Sequence, residues 1–150
     1  MEIEYIFRLL LAAFLGALIG IEREKRNKAA GIRTNLVVSL TSCLVMLTSL
    51  RLASDLASKE YYADAARIAA QVVSGIGFLG AGTIIKHKDK VEGLTTAAGL
   101  WAVSGIGLAV GVGYYLISIS TTIIILSSLV FLKSLHKYID NDNEKDTISN

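Results

Sequence analysis

Charged and polar side chains that could bind an ion, a lipid headgroup or a partner are concentrated in three short segments of the 150-residue chain. The first segment, 20–35, combines two carboxylates with five Lys and Arg residues. Two interpretations fit it: a solvated loop with local ion pairs, or a site for an anionic lipid, a partner or a metal. Its candidate site residues are Glu22, Arg23, Glu24, Arg33, Thr34 and Asn35. Thr34 or Asn35 is expected to cap the helix that follows.

The second and third polar segments each precede an apolar run. Asp64, Arg67 and Gln71 are spaced by three and four residues, so they share one face of a helix. An Asp64–Arg67 ion pair with an interhelical hydrogen bond from Gln71 is one interpretation, and a polar vestibule is the other. Thr95 and Thr96 begin a later apolar run, where their hydroxyls can bond to their own helix.

Several function classes are excluded by what the sequence contains. Neither His87 nor His136 has a nucleophile beside it, so the chain is expected not to be an enzyme. The single Cys43 excludes an intramolecular disulfide. A net charge of +2 gives no argument for nucleic acid. The GxGxxG pattern at 75–80 lies within an apolar run and lacks the strand that a dinucleotide site needs before it.

The composition is typical of an integral membrane protein. Apolar residues make up 53% of the chain and charged residues 19%, with a mean hydropathy of +0.54. A soluble domain carries about 25% charged residues. Because backbone amides in lipid need internal partners, the apolar runs are predicted to be helices. We therefore predict an all-α membrane protein, a bundle of about five transmembrane helices.

Five apolar runs are long enough, or nearly long enough, to span a bilayer. The predicted spans are 6–21, 35–50, 68–85, 94–112 and 114–132. They form one transmembrane domain, 1–134, followed by a short polar tail, 135–150. Arg8 lies near the start of the first span, where its side chain is expected to reach the nearby interface.

The orientation follows from the distribution of Lys and Arg. Eleven of the fifteen lie in the two loops 22–34 and 86–93 and in the segment after Leu132, which five spans place on one side. Cytoplasmic loops carry the excess of positive charge, so this side is predicted to be cytoplasmic. The N-terminus is then outside and the C-terminus is cytoplasmic.

Small residues indicate where the helices pack, because contact in lipid depends on close approach. Glycines in the third span predict very close helix contact or a locally unwound segment, and the fourth span carries a small-residue stripe. The predicted packing residues are Gly75, Gly77, Gly80, Gly82, Ala98, Ala102 and Gly105. Two GxxxG motifs, at 16–20 and 107–111, indicate packing within the chain or a homodimer contact. A polar stripe runs along the second span.

Four segments together resemble the MgtC/SapB family of bacterial membrane proteins. They are GIERE at 20–24, AGIRTN at 30–35, the string from Asp64 to Gly82 that contains RIAAQVVSGIGFLGAG, and GLTTAAGLW at 93–101. The RTN of this chain stands where the family usually has RTH. Some members add a soluble C-terminal domain, which we expect to be absent here because only a short segment follows Leu132.

The resemblance implies a multi-pass inner-membrane protein linked to magnesium homeostasis, growth when magnesium is scarce and, in pathogens, survival inside macrophages. For some members it implies regulation of the membrane ATP synthase, which makes a membrane partner the first hypothesis. A direct Mg²⁺ transporter or channel subunit, formed by several protomers, is the alternative, and structural scaffolding is a third. The resemblance implies no cofactor and leaves open both Mg²⁺ binding and a homo-oligomer. The missing carboxylate at mid-membrane favours regulation, because Mg²⁺ prefers carboxylate ligands.

Overall fold

A computed structural model describes the backbone of residues 2–58, 64–88 and 90–148, and the side chains of these ranges as far as residue 131. It contains five helices and one small hairpin. The helices are α1 (Glu2–Lys25), α2 (Ile32–Ala57), α3 (Ala65–Ala81), α4 (Leu94–Val112) and α5 (Tyr115–Ile148). The strands β1 (Ile85–His87) and β2 (Lys90–Glu92) pair in antiparallel register between α3 and α4. The prediction of about five helices is confirmed.

The helices run alternately up and down, with α1, α2 and α4 at the centre. Helix α3 packs on α2 and α4, and α5 packs on α1 and α4. The α1–α2 loop and the hairpin therefore lie at one end of the bundle, which we call the basic end (residues 22–34 and 83–95). The other end, which we call the Arg8 end, contains residues 2–8, 49–58, 64–67 and 111–115.

Three of the helices are long and apolar enough to cross a membrane: α1, α2 and α4. The apolar part of α3 and the segment Tyr115–Phe131 of α5 are shorter. Large apolar side chains cover the outer faces of the bundle; Phe78 and Phe131, for example, are 82% and 77% exposed. Such a surface is typical of a protein whose solvent is lipid.

The centre of the bundle is built on the polar stripe of α2. Its members are all buried: Asn35, Ser39, Ser42, Met46 and Ser49. The two GxxxG motifs, one on α1 and one on α4, pack against this stripe. A Cβ added at Gly16 would lie 2.6 Å from the Asn35 carbonyl oxygen, and one at Gly111 would lie 2.6 Å from the Met46 Cβ. The prediction that the motifs pack within the chain is confirmed.

The glycines of α3 do not make the close helix contact that the sequence predicts. A Cβ at Gly75 or Gly77 would meet nothing within 4 Å, so both face away from the bundle. Gly80 is buried and its Cβ would lie at an ordinary 3.5 Å from the Ala97 Cβ, while Gly82 caps the helix. Because α3 is continuous from Ala65 to Ala81, an unwound segment is also excluded.

The small-residue stripe of α4 likewise points outward. Ala98 and Gly105 are exposed, and a Cβ at Gly105 would meet nothing within 4 Å; Ala102 is partly exposed. The buried face of α4 instead contains Gly107 and Gly111 with Leu100, Val103 and Val110. Bulky apolar residues interleaved with glycine allow close approach and leave little unfilled space. The small-residue pattern correctly predicts the helix, but it predicts the wrong face of α4 as the one that packs within the bundle.

Several helix boundaries differ from the predicted spans. Helices α1 and α2 are longer at both ends than the spans 6–21 and 35–50, and α3 begins at Ala65, three residues before the third span. The third span ends early, since the Thr83 hydroxyl donates to the Gly80 carbonyl and Ile85 begins β1. Gly111 lies inside α4, and Gly113 and Tyr114 make the α4–α5 turn, with Gly113 at a φ of +97° that favours glycine. The backbone of α5 stays helical through the predicted tail as far as Ile148.

Candidate functional site at the basic end

Glu22 is the centre of an ion-paired cluster where α1 leaves the bundle. Its carboxylate lies 2.5 Å from a guanidinium nitrogen of Arg23 and also pairs with Arg26, one helical turn later. The Arg23 and Glu22 side chains are only 5% and 11% exposed. Two cations on one largely desolvated carboxylate give the cluster a net positive charge and hold it rigidly.

Glu24 and Asn35 join α1 to α2 across the loop. The Glu24 carboxylate accepts a hydrogen bond from the Ile32 backbone N–H at 2.8 Å and so satisfies the first turn of α2. The buried Asn35 amide donates to the carbonyls of Ala30 at 2.9 Å and Gly31 at 2.8 Å. The prediction that Thr34 or Asn35 caps α2 is wrong: Gly31 is the N-cap residue, and the capping carboxylate comes from eight residues earlier.

Arg33 and Thr34 stay exposed at the start of α2, beside an apolar groove. Thr34 lines this groove, a cavity of about 400 Å³ that lies between the α1–α2 loop and the end of α3. The structure thus assembles four of the predicted residues, Glu22, Arg23, Glu24 and Asn35, into a rigid support. The side chains of Arg33 and Thr34 remain free to meet a ligand.

The remaining candidates do not join this cluster. Asp64 caps α3 at the Arg8 end, where its carboxylate accepts from the Ala66 N–H at 2.9 Å. Arg67 and Gln71 are exposed on α3, which does not favour the interhelical hydrogen bond that is one interpretation of Gln71. Within the described part of the chain, Arg67 forms no ion pair with Asp64. At the start of α4, Thr96 is buried and Thr95 is exposed.

A second polar cluster, at the Arg8 end, is absent from the sequence prediction. The Arg8 guanidinium donates to the Gly111 carbonyl at 2.7 Å and to the Tyr115 hydroxyl at 3.1 Å, and it pairs with Glu4. It therefore ties α1 to the α4–α5 turn. With the exposed pair Arg51–Asp55 it borders a second cavity of about 400 Å³. The i,i+4 spacing of opposite charges could have indicated the two ion pairs, Glu4–Arg8 and Arg51–Asp55, but not the contacts of Arg8 with α4 and α5.

The described residues contain no group of three or more His, Cys, Asp or Glu side chains that could hold a metal ion. Glu22 and Glu24 already have partners, and the buried residues between the two ends are apolar residues, glycine, serine, threonine and Asn35. The arrangement at the basic end is suited to binding an anion or a partner surface and is poorly suited to stripping water from Mg²⁺.

Comparison with known proteins assigns the chain to a family. The model of the MgtC family matches residues 9–138. The chain belongs to the MgtC family. The matched range includes α2, α3 and α4 in full, most of α1 and the larger part of α5. The basic end therefore lies within the family domain, whereas Glu4 and Arg8 of the other end precede the matched range.

Three relatives show how far the similarity extends. The chain is 43% identical to "Protein MgtC" of Salmonella typhimurium over 91% of its own length and 55% of that protein. It is 38% identical to "Protein SapB" of Bacillus subtilis over 95% of its length and 63% of that protein. It is 40% identical to "Putative magnesium transporter YhiD" of Escherichia coli, over 95% and 67%. The chain thus spans between 55% and 67% of the length of these relatives. No solved structure gives a significant match.

Proposed function

We propose that this protein is a multi-pass protein of the bacterial inner membrane that supports growth at low magnesium by binding and regulating a membrane partner, such as the ATP synthase. It is not an enzyme in this proposal. The observation that supports the proposal is the residue composition of the bundle interior. Residues 9–21, 34–50, 68–85 and 94–132 contain no Asp, Glu, Lys, Arg or His. A conduit for a strongly hydrated cation needs such groups or a ring of carbonyl oxygens along its path.

The packing of the interior supports the same proposal. The two GxxxG motifs bring α1 and α4 against α2 so closely that a single added Cβ would collide with backbone. Such contacts leave no space along the centre of one protomer for an ion with its water shell. The link to magnesium is carried to this chain from its relatives, one of which is named a putative magnesium transporter.

The name of that relative also supports one alternative function. In it, several protomers form a direct Mg²⁺ transporter or channel, with the pathway between chains. The exposed glycines Gly75 and Gly77 of α3 favour this alternative, because a helix surface without side chains allows a helix of another protomer to approach closely. The two proposals differ in one outcome: only the transporter moves Mg²⁺ without a partner.

We further propose that the basic end is cytoplasmic and that the protein begins outside the cytoplasm. Of the described Lys and Arg residues, eight lie at the basic end and three at the Arg8 end. The excess of positive charge is retained in the cytoplasm during membrane insertion.

Cysteine labelling tests this orientation. In a Cys43→Ala background, a membrane-impermeant thiol reagent added to intact cells should label Ser58→Cys and should not label Lys88→Cys. After the cells are opened, both should react, since both positions are exposed. Labelling of Lys88→Cys in intact cells would reverse the proposed orientation.

The outward-facing small residues of α3 and α4 are proposed to contact a helix of the partner. Gly77→Leu should leave the thermal stability of the purified protein almost unchanged, because its side chain meets nothing within 4 Å. The same change should abolish complementation of a growth defect at low Mg²⁺, because it blocks close approach of another helix. The control is Val73→Leu, an exposed position on the same helix where the side chain is already large. Equal growth of the two variants would contradict a partner contact at Gly77.

A further inference from the structure

The groove at the basic end combines an apolar lining with an opening toward the surroundings of the bundle. Its walls include Ala30, Val38, Leu79, Ala81 and Leu100, with Thr34 among the lining residues. Leu79 is 54% exposed, so the groove opens on the apolar outer face of α3. A volume of about 400 Å³ lies within the range of cavities that hold small ligands.

Among the described residues, the cations near this groove have no acidic partners. Lys28 and Arg33 adjoin the lining residues Ala29 and Thr34 in sequence, and Lys86 follows the lining residue Thr83. None of the three cations forms an ion pair within the described part of the chain. The carboxylates nearest in sequence are already engaged, Glu22 by two arginines and Glu24 by the Ile32 N–H.

We propose that the groove binds an acyl chain of an anionic phospholipid from the surrounding bilayer, with its phosphate group beside Arg33 and Lys28. The charge complementarity selects this occupant. The groove is apolar and opens toward lipid, and the cations near it form no ion pair with the described residues. This combination matches a molecule with an apolar tail and an anionic head. The rigid Glu22–Arg23–Arg26 cluster and the Asn35 hydrogen bonds hold the loop that forms one wall of the groove.

The lipid preference can be measured on the purified full chain in detergent. Phosphatidylglycerol should raise the melting temperature and remain bound in native mass spectrometry, because a ligand that binds only the folded state stabilises it. Phosphatidylcholine with the same acyl chains should bind more weakly, and inorganic phosphate should have no effect. Equal binding of the two lipids would overturn the proposal. Stabilisation by inorganic phosphate alone would assign the cations to a free anion and would also overturn it.

Variants locate the site. Arg33→Gln and Lys28→Gln should each weaken phosphatidylglycerol binding about fivefold, the ratio expected for one cation near an anionic lipid surface, whereas Arg67→Gln at the Arg8 end should not. Ala81→Phe should fill the groove and abolish binding; Ala70→Phe, about three turns earlier on the same face of α3, is its control. Circular dichroism verifies that each variant is folded. If Ala81→Phe does not fold, the charge variants decide, and unchanged binding in both of them would contradict the site.

Discussion

Gly107→Ala should lower the free energy of unfolding by about 1–3 kcal/mol, the cost of forcing extra atoms into a packed core. The added Cβ would lie 2.8 Å from the Ser42 Cβ and closer still to the Ser39 carbonyl oxygen. Because the nearest atom is backbone, the strain is relieved only if α2 and α4 move apart. Unfolding of the purified protein by denaturant in detergent, followed by circular dichroism, measures the loss.

The matched control lies two residues earlier on the same helix. A Cβ at Gly105 would meet nothing within 4 Å. Gly105→Ala should therefore be neutral or stabilising by up to about 1 kcal/mol, because alanine is the better helix former. If both variants lose the same stability, the packing of α4 on α2 is different from that described, and the proposed impermeable interior loses its basis.

Glu22→Ala should be the most destabilising change at the basic end, at about 3–5 kcal/mol. That is the range for removing one partner of a buried ion pair, since the remaining charge stays desolvated. The Arg23 side chain, only 5% exposed, would be left without its carboxylate. The same denaturant titration measures the effect, and complementation at low Mg²⁺ should weaken in parallel.

Asp55→Ala is the control for Glu22→Ala. Asp55 also pairs with an arginine at i,i+4 spacing, Arg51, but both side chains are more than half exposed. Exposed pairs contribute at most about 1 kcal/mol, so this change should have little effect. A Glu22→Ala variant as stable as Asp55→Ala would show that the Glu22 cluster is solvated, which is the other interpretation of this segment.

Much of this fold could be predicted from the sequence because few backbone structures are stable in lipid. Runs of apolar residues must be helices, and α4 was placed at its observed bounds, 94–112. The buried stripe of α2 was visible because its polar residues recur at helical spacing in an apolar run. These features follow from local residue patterns and from the apolar surroundings that those patterns indicate. Both can be read from a single sequence.

The sequence alone does not show which face of a helix packs inward or which distant residue a side chain contacts. Gly75 and Gly107 are equally small, and only the packed bundle distinguishes a glycine that faces outward from one pressed against Ser39. The reach of Glu24 to Ile32 depends on how sharply the α1–α2 loop turns, and the contact of Arg8 with Gly111 joins residues about a hundred positions apart. Such long-range contacts leave no periodic signal.

The most direct test of the account is Mg²⁺ flux into liposomes that contain the purified full chain. An entrapped fluorescent indicator reports entry, and a divalent-cation ionophore added at the end shows that the vesicles are intact. The account predicts flux no greater than in protein-free liposomes, with Glu22→Gln indistinguishable from the wild-type chain. Robust, saturable Mg²⁺ flux that is lost in Glu22→Gln would contradict the regulatory function and establish the transporter.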